Sequence, residues 1–182
     1  MNLFLWGALP YIAFTFLIVG TLVRFFYFER NWTTKSSEFL EKKQLRIANP
    51  LFHFGLLCVI GGHVVGVLIP KTWTAAIGIN DHLYHEGALY MGAVAGIIFI
   101  VGFLLLMKRR FTVPAMKVNT SGLDKWLYLF LTLAIFSGMA GTLLNASGFF
   151  DYRVSIGPWF RSLLSFMPDP SLMEGVPFMF KF

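Results

Sequence analysis

The sequence predicts an all-α integral membrane protein: a bundle of four transmembrane helices and the start of a fifth. Three observations carry this. The 182 residues are 57% hydrophobic and only 13% charged, outside the range of an ordinary soluble domain. Several apolar runs reach or approach the ~20 residues that cross a bilayer. The net charge of +6 comes from basic residues that flank those runs, where they read as topology signals. They form no stripe with interleaved aromatics, which argues against nucleic acid.

The first helix is placed at about 4–27. Pro10 is tolerable there as a kink, because neighbouring helices can satisfy the carbonyl that its ring leaves unpaired. The N-terminus has neither a basic leader nor a small-residue cleavage site, so this helix is expected to stay. The second is placed at about 50–69, with Pro50 in its first turn and Pro70 just beyond its end. The third, about 87–107, is rich in glycine and alanine, which let helices or a flat ligand approach closely. The fourth covers about 124–144. Residues 145–174 form an outer segment, and from about 175 "PFMFKF" reads as the first turn and a half of a fifth helix. A six-residue apolar stub is too short to span, and the chain is expected to be a C-terminally truncated fragment. The whole is read as one membrane domain, 1–182.

The basic residues set the orientation. Arg30, Lys35, Lys42, Lys43 and Arg46 lie between the first and second helices, and Lys108, Arg109, Arg110 and Lys117 between the third and fourth. The opposite side has Lys71, Arg153 and Arg161. The positive-inside rule then puts the N-terminus and the outer segment outside.

Within the second helix, "FHFGLLCVIGGHVVG" (52–66) carries two histidines and no formal charge. Ten residues rise ~15 Å and turn the azimuth by about 80°, so His53 and His63 occupy two depths, His63 nearer the outer end. Ionisable groups at such depth mark function by default. One reading has each neutral imidazole bonding a Ser, Thr or carbonyl of a neighbouring helix. The other has each bound to haem iron, the second ring nitrogen being held by an acceptor. Gly55, Gly61, Gly62 and Gly66 favour haem, since they let a flat macrocycle approach the backbone. A shared zinc ion is excluded by the spacing.

His82 and His85, beside Asp81 and Glu86, fall at an outer helix entry. They read either as a solvated interface or as the protonatable edge of a quinone pocket near His63. Cys58 is single and mid-helix, so it forms no intrachain disulfide and reads as packing, as do Met91, Met107, Met116 and Met139. Asp151, Asp169 and Glu174 read as solvated. No nucleophilic triad, phosphate loop or paired catalytic carboxylate is present in the sequence.

The stretches "SSEFLEKKQLRIANPLFHFGLLCVIGGHVVGVLIP" (36–70), "FFDYRVSIGPWFRSLL" (149–164) and "PDPSLMEGVPFMFKF" (168–182) resemble the gamma subunit of bacterial respiratory nitrate reductase, in its Bacillus-like form. The resemblance implies a five-helix cytochrome b with two b-type haems, on which His53 and His63 are each paired with a histidine of the fifth helix. The chain stops one residue short of the first such partner. Further implied are menaquinol oxidation at the outer face, electron transfer through the His63 haem and the His53 haem to an iron-sulfur beta subunit, and nitrate reduction in a molybdenum-containing alpha subunit on the cytoplasmic side. Gly62, Tyr84 and His85 are the candidates for the quinol pocket. Two alternatives stay open: a quinol-oxidising cytochrome b of another reductase, and a cofactor-free membrane scaffold.

Overall fold

The computed structural model describes residues 2–27, 40–146, 150–177 and 181. They contain no strand, and four of their helices are long and apolar enough to cross a membrane. These are α1 (Phe4–Tyr27), α2 (Lys43–Leu68), α4 (Asp81–Thr112) and α6 (Gly122–Ala146). Three short helices connect or brace them: α3 (Lys71–Ala76), α5 (Pro114–Val118) and α7 (Ile156–Leu164). A 3₁₀ turn, Pro170–Met173, follows.

Two of the spans run longer than their apolar runs suggest. α2 begins at Lys43, so Pro50 lies inside it and not in its first turn. The segment "KQLRIAN" is polar but contains good helix formers, and the Glu41 carboxylate accepts the Gln44 N–H at 2.8 Å, covering one of the orphan donors of the first turn. That hydrogen bond is the leading cause of the lowered Glu41 pKa. α4 has 32 residues, ~48 Å of helix against a ~30 Å hydrocarbon core. Its entry is capped by Asn80, whose side chain accepts from Leu83 N at 2.7 Å. His82 and His85 are therefore helical, in the first two turns. The expected start of a fifth helix falls largely on residues 178–180 and 182, outside the described residues; 174–176 form a turn and bend.

The centre of the fold is the crossing of α2 with α4. A Cβ built on Gly55 would stand 2.5 Å from the backbone N of Phe99 and 2.7 Å from its Cα. One built on Gly102 would strike the backbone N of Phe52. No side chain fits at either point, so two glycines on opposite helices bring the backbones into direct contact. Around them Phe52 packs on Phe99 with ring centroids 5.1 Å apart, and on Phe103 at 6.4 Å.

The other spans attach at their ends. Pro10 has no N–H for the carbonyl of Trp6, and the chain passes through a π-helical stretch, Phe4–Ala8. The Trp6 carbonyl accepts from Trp159 Nε1 of α7 at 2.8 Å. Tyr11 donates to the Leu163 carbonyl, also at 2.8 Å. α6 joins α4 through the Arg110–Asp124 ion pair at 2.8 Å and the edge-to-face Phe111–Tyr128 contact. Its lipid-depth contact is slight: Gly96 lies near Met139 Sδ.

The two ends of the bundle differ in charge. At the end formed by the start of α2 and the close of α4 stand Lys42, Lys43, Arg46, Lys108, Arg109, Arg110 and Lys117. One of them is drawn inward: Arg109, with its side chain 5% exposed, pairs with Glu41 at 2.8 Å. At the other end Lys71 bridges Asp151 at 2.5 Å and Asp81 at 3.5 Å.

Two outcomes follow. Gly55→Ala or Gly102→Ala should destabilise the detergent-solubilised protein by about 1–3 kcal/mol, the usual cost of overpacking, whereas Gly92→Ala, with open space around it, should leave the melting temperature within about a degree or two of the parent. Lys71 is held above its ordinary pKa, first by its hydrogen bond to Asp151. Its contribution is therefore fully present below the ordinary lysine pKa and is lost as pH rises through the raised value. Lys71→Gln should cost up to about 1 kcal/mol, since the pair is partly exposed, with a constant difference between pH 6 and 9 that shrinks only above the lysine range.

Candidate outer pocket and histidine pair

His53 and His63 sit on α2 with both rings exposed. Taking Gly55 as the azimuth that faces α4, 100° per residue puts Phe52 at about 60°, His63 at about 80° and His53 at about 160°. The crossing with α4 thus occupies one stripe: His53 lies well round the helix from it, and His63 lies at its edge, about 20° from Phe52, where it is exposed. Each imidazole is anchored to its own helix: His53 Nδ1 is 2.9 Å from the Asn49 carbonyl, and His63 Nδ1 is 2.7 Å from the Val59 carbonyl. A carbonyl oxygen only accepts, so Nδ1 is the donor, and in a neutral ring Nε2 is then the nitrogen that keeps its lone pair. Among the described residues, neither ring makes a hydrogen bond to a neighbouring helix.

Glycines beside the rings leave room. A Cβ on Gly61 or on Gly62 would meet nothing within 4 Å. Gly66 differs, because a Cβ there would stand 2.9 Å from the Tyr152 hydroxyl. Gly55 also differs, being consumed by the α4 crossing. Of the four glycines expected to admit a macrocycle, two are open and two are packed. Cys58 is exposed, so it does not pack against another helix here.

Tyr152 lies between the C-terminal end of α2 and a pocket at that end of the bundle. It packs on Gly66, three residues along α2 from His63, and burial in that position pushes its phenol above the usual tyrosine range. The pocket is lined by Lys71, Asp81, Tyr84, His85, Asn145, Asp151, Tyr152 and Arg153, with Ala88 at its wall. Two of the three quinol candidates, Tyr84 and His85, are brought together here. Gly62 is not part of the lining. His82 turns away to Glu86, 3.7 Å distant one helical turn on.

Several residues of this pocket escaped the sequence reading, Asn145, Asp151, Tyr152 and Arg153 among them. Asp151, expected to be solvated, bridges to Lys71 and also accepts the Arg153 N–H at 2.9 Å. Arg153, counted only as a loop cation, is buried, with its guanidinium 3.7 Å from the centroid of the Tyr84 ring. Among the described residues, no group of three or more His, Cys, Asp or Glu converges as for a metal ion bound by such side chains alone.

Comparison with known proteins places this geometry in context. The family model for the nitrate reductase gamma subunit matches residues 2–182. The chain is 47% identical to the nitrate reductase gamma chain of Bacillus subtilis (strain 168), over 98% of this chain and 80% of that protein. It is 27% identical to the respiratory nitrate reductase 1 gamma chain of Escherichia coli (strain K12), over 100% of this chain and 81% of that one. It is 38% identical to the nitrate reductase-like protein NarX of Mycobacterium tuberculosis (strain ATCC 25618 / H37Rv), over 97% of this chain and 28% of that protein. With four membrane-length helices and a match along almost its whole length, the chain belongs to the nitrate reductase gamma subunit family.

Proposed function

We propose that the chain is the membrane-anchoring electron-transfer subunit of a quinol:nitrate oxidoreductase, binding haem b through His53 and His63. The observation that carries this is the pair of Nδ1-to-carbonyl hydrogen bonds, at 2.9 and 2.7 Å. Each leaves an Nε2 lone pair at membrane depth, the donor that haem iron takes. The open space over Gly61 and Gly62 suits a flat macrocycle on the same flank. Bound at these two levels, haem b supplies one-electron transfer between the outer end of the bundle and an iron-sulfur beta subunit on the cytoplasmic side, with nitrate reduced in a molybdenum-containing alpha subunit.

The chain's own residues then have separate tasks. The carbonyls of Asn49 and Val59 orient the imidazoles and fix their tautomer. Menaquinol is taken up at this outer end, where Tyr84 and His85 of α4 stand together. Tyr152, seated on Gly66, holds the outer pocket less than one helical turn from His63. Asp81 and Asp151, each at least half exposed, offer acceptors for protons released on the outer side. The N-terminus faces outward, and the cationic end of the bundle faces the cytoplasm and its partner subunits.

Haem content measured by pyridine haemochrome on the complex, purified with its partner subunits, tests the assignment. His63→Ala and His53→Ala are each expected to halve the haem, from two to one, and to lower quinol-driven nitrate reduction at least a hundredfold. Full haem content in both variants would overturn it.

A further inference from the structure

The outer segment runs along α1 twice, inward and then back. Trp159 of α7 meets Trp6, the rings edge to face at 5.8 Å and the indole N–H donating to the Trp6 carbonyl. One turn later the Leu163 carbonyl accepts from the Tyr11 hydroxyl at 2.8 Å, and the Phe166 ring stacks on the Tyr11 ring at 6.0 Å. The chain then returns. A Cβ built on Gly7 would stand 3.8 Å from Pro170 Cγ, and the Glu174 carboxylate accepts from the Asn2 amide at 3.5 Å. The partners on α1 are thus residues 6, 11, 7 and 2 in that order, which describes a re-entrant hairpin. Tyr11 lies five residues beyond Trp6, ~7.5 Å farther along a helix long and apolar enough to cross a membrane. Tryptophans favour the headgroup level, so the tip of the hairpin falls at the boundary with the acyl chains.

The tip is built for lipid. Leu164, Phe166 and Met167 are 55%, 82% and 77% exposed. α7 closes in a Schellman arrangement, with the Met167 N–H donating to the Ser162 carbonyl and the Phe166 N–H to the Leu163 carbonyl. Glycine normally takes the left-handed position of that motif, but here it is Phe166, at φ +58°. A large ring is therefore held outward where a bare backbone would suffice. Carbonyls at this depth need partners within the protein, and the last turn supplies them. Ser165 Oγ lies 3.0 Å from the Arg161 carbonyl and 3.1 Å from that of Ser162, while Tyr11 adds a second donor to Leu163. The charges are turned away from the tip. Arg161 donates to the Val67 carbonyl at the end of α2, and Asp169 stands on the returning limb, its N–H on Ser162 and its carboxylate on Ser171.

We propose that residues 156–173 form a re-entrant element seated in the leaflet that α1 enters first, with Leu164, Phe166 and Met167 against the upper acyl chains. Lipid is the occupant because the patch is continuous, through Tyr11, with the exposed apolar surface of α1, where Ile12 and Phe14 face outward. Burial of such a tip to this depth is what an interfacial amphipathic helix achieves. The inference stands apart from the haem and quinol assignments.

The test uses the whole complex in nanodiscs, with Cys58→Ser removing the single cysteine of this chain and the signal of the labelled Cys58→Ser complex subtracted. Bimane is attached at Met167→Cys or, as the aqueous reference, at Glu174→Cys. At Met167→Cys, phosphatidylcholine brominated on its acyl chains should quench about half the emission, and iodide should quench about fivefold less than at Glu174→Cys. Equal iodide quenching at the two sites, without quenching by brominated lipid, would place the tip in water and overturn the proposal. Protection of Met167→Cys from both quenchers would show that protein covers the patch, and would overturn it too. Should Met167→Cys fail to accumulate, Leu164→Cys carries the same expectation and the same two overturning results.

Discussion

The contact of α2 with α4 at Gly55 and Gly102 is the constraint on which the rest depends. In hydrocarbon, no apolar surface is gained by packing two helices together, because lipid tails are as apolar as leucine. Close van der Waals approach must do the work instead. Glycine at both crossing points removes the side chains that would hold the backbones apart, and Phe52, Phe99 and Phe103 fill the grooves on either side. Fixing α4 against one azimuth of α2 fixes what every other azimuth is available for. His53 is left on another side of α2 because Gly55 and Phe52 face α4, and His63 stays exposed at the edge of that stripe.

The outer segment is the second structural device, and its chemistry is that of orphan carbonyls. Pro10 deprives Trp6 O of its helical donor, and Trp159 Nε1 replaces it. The end of α2 leaves Val67 O and Ile69 O without partners along the chain, and Arg161 and Arg153 donate to them at 2.7 and 3.4 Å. Cations at a helix C-terminus also meet the negative end of its dipole. Gly157 allows this approach: a Cβ there would stand 3.1 Å from Arg161 Nη1 and 3.4 Å from Val67 O. A stretch that reads as a loop therefore clamps α1 to α2, and its basic residues serve as caps and as pocket walls.

The existence and order of the four spans were legible because crossing a bilayer imposes a length and an apolarity that few other constraints imitate. Their ends were not. The start of α2 and both ends of α4 are polar turns protruding past the apolar band, and a hydropathy criterion stops where the band stops. The histidine pair was legible for the converse reason, since a titratable side chain inside an apolar run is conspicuous without any coordinates. Arg153 was invisible: a cation in a polar stretch looks solvated, and only the folding back of residues 150–164 onto the α2–α4 end buries it. Gly55 was noticed but assigned to the wrong neighbour. Sequence shows that a glycine admits something close, and only packing decides whether that something is a ligand or another helix.

The distribution of carboxylates gives a last physical reason for the proposed direction of charge movement. No Asp or Glu occurs in residues 44–80, 87–123 or 125–150, so the acidic groups of the spans are confined to their ends. Asp81 and Glu86 stand at the outer end with Asp151, and Asp124 and Glu41 at the other, each of these two tied to an arginine. A chain of proton carriers through the bilayer needs titratable groups at intermediate depth; among the described residues no carboxylate stands there, and the two imidazoles of α2 have Nδ1 committed to backbone carbonyls. On the proposed reading, protons released at the pocket have Asp81 and Asp151 close by as acceptors, and electrons would pass along the side of α2 that carries the histidines.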